Sequence, residues 1–186
     1  LTVDTVDSIP GITISISGAA SADGVIRLFA NIGKIQQTAT GLLGGKALYA
    51  EGRSVLLNQA NPTGVVAGKL NANATGSDSF AYRSAKAIMV GTVAGAAGID
   101  AGAGSVSLRA DDGAVAGAGL VTGTAKIDLA AGYGIGSIDA PLRTRTATLS
   151  TYNNYDGDIA ITNYNSATPG FLKLLTAYNR ASAGAV

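Results

Sequence analysis

Gly104-Ser105-Val106-Ser107-Leu108-Arg109-Ala110, then Lys126-Ile127-Asp128-Leu129, then Thr146-Ala147-Thr148-Leu149 decide the fold class of this chain. In each stretch apolar and polar residues alternate with period two, the pattern of a strand with one face buried and the other in water. Ile12-Thr13-Ile14-Ser15-Ile16 and Asp158-Ile159-Ala160-Ile161-Thr162 read the same way. Between such runs, Gly41 to Gly45, Asn61 to Gly64, Gly132 to Gly136 and Asn153 to Gly157 carry turn chemistry. Strands starting at Val106, Ile127 and Thr148 recur at about 20 residues, the length of one turn of a coil built from short strands and bends.

A longer echo runs above this rhythm. Gly24 to Ala72 returns in order as Gly104 to Thr151: Ala30 has its counterpart at Ala110, an offset of 110 − 30 = 80, and Pro62 at Pro141, an offset of 141 − 62 = 79. Ile12-Thr13-Ile14, Ile88-Met89-Val90 and Phe171 to Leu175 fall in one phase relative to those copies. The expectation is an all-β parallel β-helix (solenoid) over residues 1–186, with copies near 24–103 and 104–183 and a partial copy before them. The segment reads as cut from something longer. At about four turns per copy and ~4.8 Å per turn, it predicts a rod of about nine turns, roughly 45 Å long. The competing architecture is a tandem pair of antiparallel β-sandwich modules, which also produces short alternating strands. An outer-membrane barrel needs longer strands and aromatic girdles, against 7 Tyr and 3 Phe here.

Composition narrows the function classes. Hydrophobic residues make up 47% and charged residues 13%, with 26 glycines, so the core is one of small and β-branched side chains suited to close-packed strands. The 13 Lys plus Arg and 12 Asp plus Glu are scattered, leaving a net charge of +1 and no basic stripe for nucleic acid. Cys and His are both absent, which removes zinc sites, thiol nucleophiles and the Ser-His-Asp triad. The uncharged stretches Ser8 to Ala22 and Ser54 to Gly68 are too short and too rich in Pro, Gly, Ser or Asn for membrane insertion as a helix.

Few residues invite a functional reading. Gly132-Tyr133-Gly134-Ile135-Gly136 lacks the following helix and downstream acidic residue of a dinucleotide loop and reads as a turn. Asp111-Asp112 and Asp156 with Asp158 are the densest carboxylates; Asp111 and Asp112 precede Gly113 as Asn31 and Ile32 precede Gly33, so a turn role is favoured over Ca²⁺ binding or catalysis. Arg143 and Arg145 alternate with Thr144 and Thr146 on one strand face. Tyr152-Asn153-Asn154-Tyr155, with Tyr164 flanked by Asn163 and Asn165, is the most distinctive local composition. Aromatic rings beside amides suit a glycan or protein contact, and the same residues also suit an exposed loop. No catalytic, cofactor-binding or metal residue is assigned.

Gly104 to Ala110, Ala130-Ala131-Gly132-Tyr133-Gly134-Ile135-Gly136 with Ala140-Pro141-Leu142, Thr148-Leu149-Ser150-Thr151 and Gly157-Asp158-Ile159-Ala160-Ile161 resemble the repeats of the filamentous haemagglutinin family. The similarity is clearest over Gly104 to Thr162. It implies a right-handed parallel β-helix, display as a long fibre at the bacterial surface or outside the cell, and no enzymatic activity. The expected partners are neighbouring repeats or copies of the chain end to end. An adhesin module binding glycan or a host surface is the second reading, and a polysaccharide-acting β-helix enzyme the third.

Overall fold

The computed structural model describes residues 1–5, 13–164 and 171–180. The alternation becomes strands laid down layer by layer. The first two layers hold β1 (Thr2–Thr5), β2 (Thr13–Ile16), β3 (Ala19–Ser21), β4 (Val25–Ala30), β5 (Lys34–Gln37) and β6 (Leu42–Gly44). The next two hold β7 (Ala47–Gly52), β8 (Ser54–Asn61), β9 (Val65–Leu70) and β10 (Ser79–Ser84). Then come β11 (Ile88–Val90), β12 (Thr92–Val93), β13 (Ala96–Ala97), β14 (Ile99–Asp100) and β15 (Ser105–Ala110). The last three layers hold β16 (Val115–Ala116), β17 (Leu120–Thr122), β18 (Lys126–Ala131), β19 (Leu142–Arg145), β20 (Thr148–Asn153), β21 (Ile161–Asn163) and β22 (Lys173–Asn179).

Two long sheets run through the layers, in the orders β1-β4-β7-β9-β14-β17-β19-β21 and β2-β5-β8-β10-β15-β18-β20-β22, and the first also holds β11 and β16, with β11 pairing β9 and β16. Every pairing along both paths is parallel, as in β4 with β7 and β18 with β20. The chain is therefore an all-β parallel solenoid of about seven turns, and the antiparallel sandwich is not its architecture. Among the described residues no helix occurs. Seven steps at ~4.8 Å give a stack about 34 Å tall, shorter than the nine turns expected from a 20-residue coil. The layers outrun that estimate where corners lengthen, as where Val55 pairs with Phe80 and Phe80 in turn with Val106.

The alternation points inward in the expected phase, with Ile26, Leu28 and Ala30 of β4 and Val106, Leu108 and Ala110 of β15 all buried. Yet β4 lies in the first sheet and β15 in the second. The 80-residue echo thus marks a shared inward phase and not a shared place in the coil. Phe171 to Leu175 enters the strand β22, as its counterpart Ile88-Met89-Val90 forms β11, again in different sheets; Ile12 lies outside the described residues.

Parallel register stacks like residues into ladders. In the second sheet Ile14, Ile35, Val55, Phe80, Val106, Ile127 and Leu149 follow one another from layer to layer. In the first, Leu28, Ala50, Gly68, Ile99 and Val121 do the same. Gly68 is required by the ring opposite: a Cβ there would lie 2.6 Å from Phe80 Cε2 and collide with the Ala50 carbonyl oxygen. A hairpin, β12–β13, leaves the first sheet between β11 and β14. Its turn uses Ala94 and Gly95 at φ 56° and 87°, the left-handed pair that a tight hairpin needs. The hairpin folds over the outer face, where Val93 joins Tyr49 and Ala67 in a small second cluster flanked by Phe29 and Ala96.

The corner after the second sheet has a ladder inside it that is polar at both ends and apolar in the middle. Asn61, Ser84, Ala110, Ala131, Asn153 and Asn179 occupy successive layers. Asn61 is fully buried; its Oδ1 accepts from the Leu43 amide (2.9 Å) and Gln37 Nε2 (2.6 Å), and its Nδ2 donates to the carbonyl oxygens of Gln59 (2.9 Å) and Arg83 (3.1 Å). It satisfies backbone groups that bend out of the sheet ladder at the corner. Asn61→Ala strands the Leu43 amide and is expected to cost about 2–3 kcal/mol, read as a lower urea midpoint at unchanged m-value.

The corner between β9 and β10 is closed by Asp78. It is buried, and its carboxylate accepts from Ser54 Oγ (2.6 Å), the Thr75 amide (2.9 Å) and Thr75 Oγ1 (2.9 Å), with Arg53 Nε at 3.5 Å. Burial pushes the carboxyl upward, but the hydrogen bonds from Ser54 and Thr75 and the Arg53 charge outweigh it and hold it below the usual range. A depressed folded pKa stabilises the fold above the unfolded value, and that contribution drains away as pH falls through the folded one. Stability should therefore drop between about pH 5 and pH 2, and Asp78→Asn should flatten that part of the pH profile of urea unfolding. An unchanged acid limb would place the controlling carboxylate elsewhere.

Candidate ligand-binding groove

The outward residues of the second sheet build a surface from the same register. Arg83, Arg109, Ala130, Tyr152 and Tyr178 stand in line on β10, β15, β18, β20 and β22. The Tyr152 and Tyr178 rings stack with centroids 4.7 Å apart and planes 12° from parallel, the separation that the layer spacing imposes. On the other side Asp111, at the turn after β15, receives Arg83 through Nε and a terminal nitrogen (both 2.8 Å) and Arg109 through Nε (2.8 Å). Burial raises the Asp111 carboxyl, and the two arginines more than offset this, keeping it below the ordinary carboxylate range. The Asp at this turn is thus the clamp that holds two guanidiniums side by side.

A groove of about 390 Å³ opens between these two groups, with Ala130 and Gly132 on its floor and Asn154 and Tyr155 at its corner end. Tyr155 leans on Tyr133 with centroids 5.5 Å apart. A second hollow, also about 390 Å³, shares Arg109, Ala130 and Tyr152 and continues over Asp128 between Ser107 and Ser150. The two together form a trough along β18, across the axis of the coil.

The structure divides the residues expected to form a contact patch. Tyr152, Asn154 and Tyr155 meet in the groove. Asn153 does not: it is fully buried in the inner corner ladder, accepting from the Gly134 amide (2.8 Å) and donating to the Asp156 and Gly157 carbonyl oxygens (both 3.0 Å). Period two accounts for this, since Tyr152 and Asn153 are adjacent in β20 and must face opposite ways. Tyr164 follows β21, a strand of the first sheet, and lies under the Arg143 guanidinium at 5.3 Å. Asn165 lies outside the described residues. The loop reading holds only for the corner after Asn153, since Tyr152 belongs to a strand. Arg83, Arg109 and Asp111 line the groove as well, and Tyr178 stacks on Tyr152 from the next layer. They come from strands and a turn distant from Tyr152 along the chain, so only the layer register reveals them.

Comparisons with protein-family models, curated proteins and solved structures found no match for the chain. The class defined by the fold is a parallel β-solenoid with a charged and aromatic trough on one sheet.

Proposed function

We propose that the protein is a structural segment of a secreted bacterial surface fibre, stiffened by repetition and extended by stacking. The observation that carries this reading is the state of the last described layer. Its strand β22 is hydrogen-bonded to β20 on one side, while Leu172, Leu174 and Leu175 remain 40–54% exposed. Leu174 lies in register with Leu149, so it continues an apolar inner ladder and offers the next layer a place. A parallel strand at the end of a stack, with an apolar inner face, is a template for another strand. Further coils of this kind, or another copy end to end, would cover it. Extracellular display rests on the resemblance of the repeat words to the filamentous haemagglutinin family.

Electron microscopy of negatively stained native material, with intact mass, tests the reading. Long rods with mass well above 18.3 kDa per chain are expected. Compact, monodisperse particles at that mass would sink it. The trough on the second sheet favours a second role, ligand contact, on the same scaffold.

A further inference from the structure

The outer ladder of the second sheet has one step missing. From Tyr178 to Tyr152 the rings stack at 4.7 Å, and the next position along the line is Ala130, where a methyl group stands in place of a side chain long enough to continue the stack. Arg109 follows it. Tyr152 and Arg109 are therefore two layer spacings apart, about 9.6 Å, with one ring-thick slot between an aromatic face and a guanidinium. Arg109 meets Asp111 through Nε, a bond that does not engage its terminal amino groups.

Charge and lining specify the occupant. Arg83 and Arg109 against Asp111 leave one net positive charge at the slot. Along the trough the cations do not continue: Lys126 is bound to Asp128 at 2.7 Å, and Ser107 and Ser150 supply hydroxyls. A nucleic-acid strand needs repeated cations, whereas a sugar chain needs a ring platform, one charge partner and hydroxyl partners. We infer that the slot over Ala130 is a subsite for a carboxylated pyranose, a uronate unit of an acidic polysaccharide. Its ring stacks on Tyr152, its carboxylate meets the Arg109 guanidinium, and the polymer runs along β18. This deepens the ligand-contact reading and does not depend on fibre formation.

Tyr152 and Tyr155 of the groove are two of the 7 Tyr in a chain with no Trp, so a ligand-dependent change in tyrosine fluorescence that Tyr152→Ala removes reports on the groove, with calorimetry as the independent readout. The probes are tetragalacturonate, tetramannuronate and a carboxyl-reduced neutral tetramer, each at the same near-physiological ionic strength. Saturable binding of at least one acidic tetramer is expected, about tenfold tighter than the neutral one. Arg109→Gln should remove that preference, and Tyr152→Ala should weaken both kinds at least tenfold. Ala130→Tyr, which fills the missing step with a ring in an existing stack, should abolish binding while the thermal unfolding temperature stays level or rises. Tyr152 is at the surface, so its truncation keeps the test open if Ala130→Tyr fails to fold. Absence of saturable binding by either acidic tetramer overturns the inference, as does binding untouched by both Ala130→Tyr and Tyr152→Ala. Equal affinity for acidic and neutral tetramers, lost in those variants, overturns the acidic assignment and leaves the groove as a glycan contact.

Discussion

Ile127→Asp is expected to abolish cooperative folding or to lower the midpoint of thermal unfolding by about 10 °C or more, whereas Arg143→Ala should leave it almost unchanged. Ile127 is fully buried and in register between Val106 and Leu149, so a carboxylate there faces hydrocarbon in the layers on both sides. Deprotonated, it is an unpaired buried charge; protonated, it still leaves polar oxygens among ladder side chains. A cost of about 4 kcal/mol or more is the scale for such a change. Arg143 is exposed in β19 and touches the Tyr164 ring at 5.3 Å, a contact worth about 0.5 kcal/mol in water. Calorimetry of the two variants side by side checks the assignment of inner and outer faces. Equal midpoints would mean that the second sheet faces the other way.

Gly68→Ala should cost about 2–3 kcal/mol, far more than the same change at Gly24, where a Cβ meets nothing within 4 Å. At Gly68 the added carbon meets the Ala50 carbonyl in the layer below and the Phe80 ring from the opposite sheet. Both neighbours are fixed by ladder pairing, so relief must come from a shift of strands. The two contacts can be separated in a double-mutant cycle. In a Phe80→Leu background the Gly68→Ala penalty should shrink without vanishing, because the clash with the Ala50 carbonyl persists. An unchanged penalty would assign the whole cost to the backbone contact.

The inward phase of the strands was legible from period two alone. Ile26, Leu28 and Ala30 are buried as their alternation says, and so are Val106, Leu108 and Ala110. Which strand stacks on which was not legible, because layer lengths vary. Tyr49 finds its partner at Ala67, whereas Gly68 reaches its own only at Ile99, beyond the hairpin. An echo of about 80 residues cannot keep step with layers so uneven, and it joined strands of opposite sheets. Asn61 and Asn153 read as turn residues because amides are common in turns. Their work is inside the corner, where the chain leaves one sheet and its amides and carbonyls need partners. Half of the groove was visible as Tyr152, Asn154 and Tyr155. Asp111 stood out among the carboxylates only as a turn residue, and its partners Arg83 and Arg109 depend on stacking, of which local composition gives no sign.

The hairpin β12–β13 shows what this uneven layering permits. Val65 and Val66 of β9 pair with Met89 and Val90, Gly68 and Lys69 pair with Ile99 and Asp100, and residues 91–98 stand opposite Ala67 alone. The Gly98 amide donates to the Gly91 carbonyl at 2.8 Å and shuts the excursion at its neck. The backbone thus departs and returns at nearly the same point of the ladder, and the strands above and below keep their partners. A neck of that kind is a natural graft point: a foreign epitope or enzyme-sized insert spliced between Val93 and Ala96 would be carried on the outside of the stack, at a spacing set by the coil.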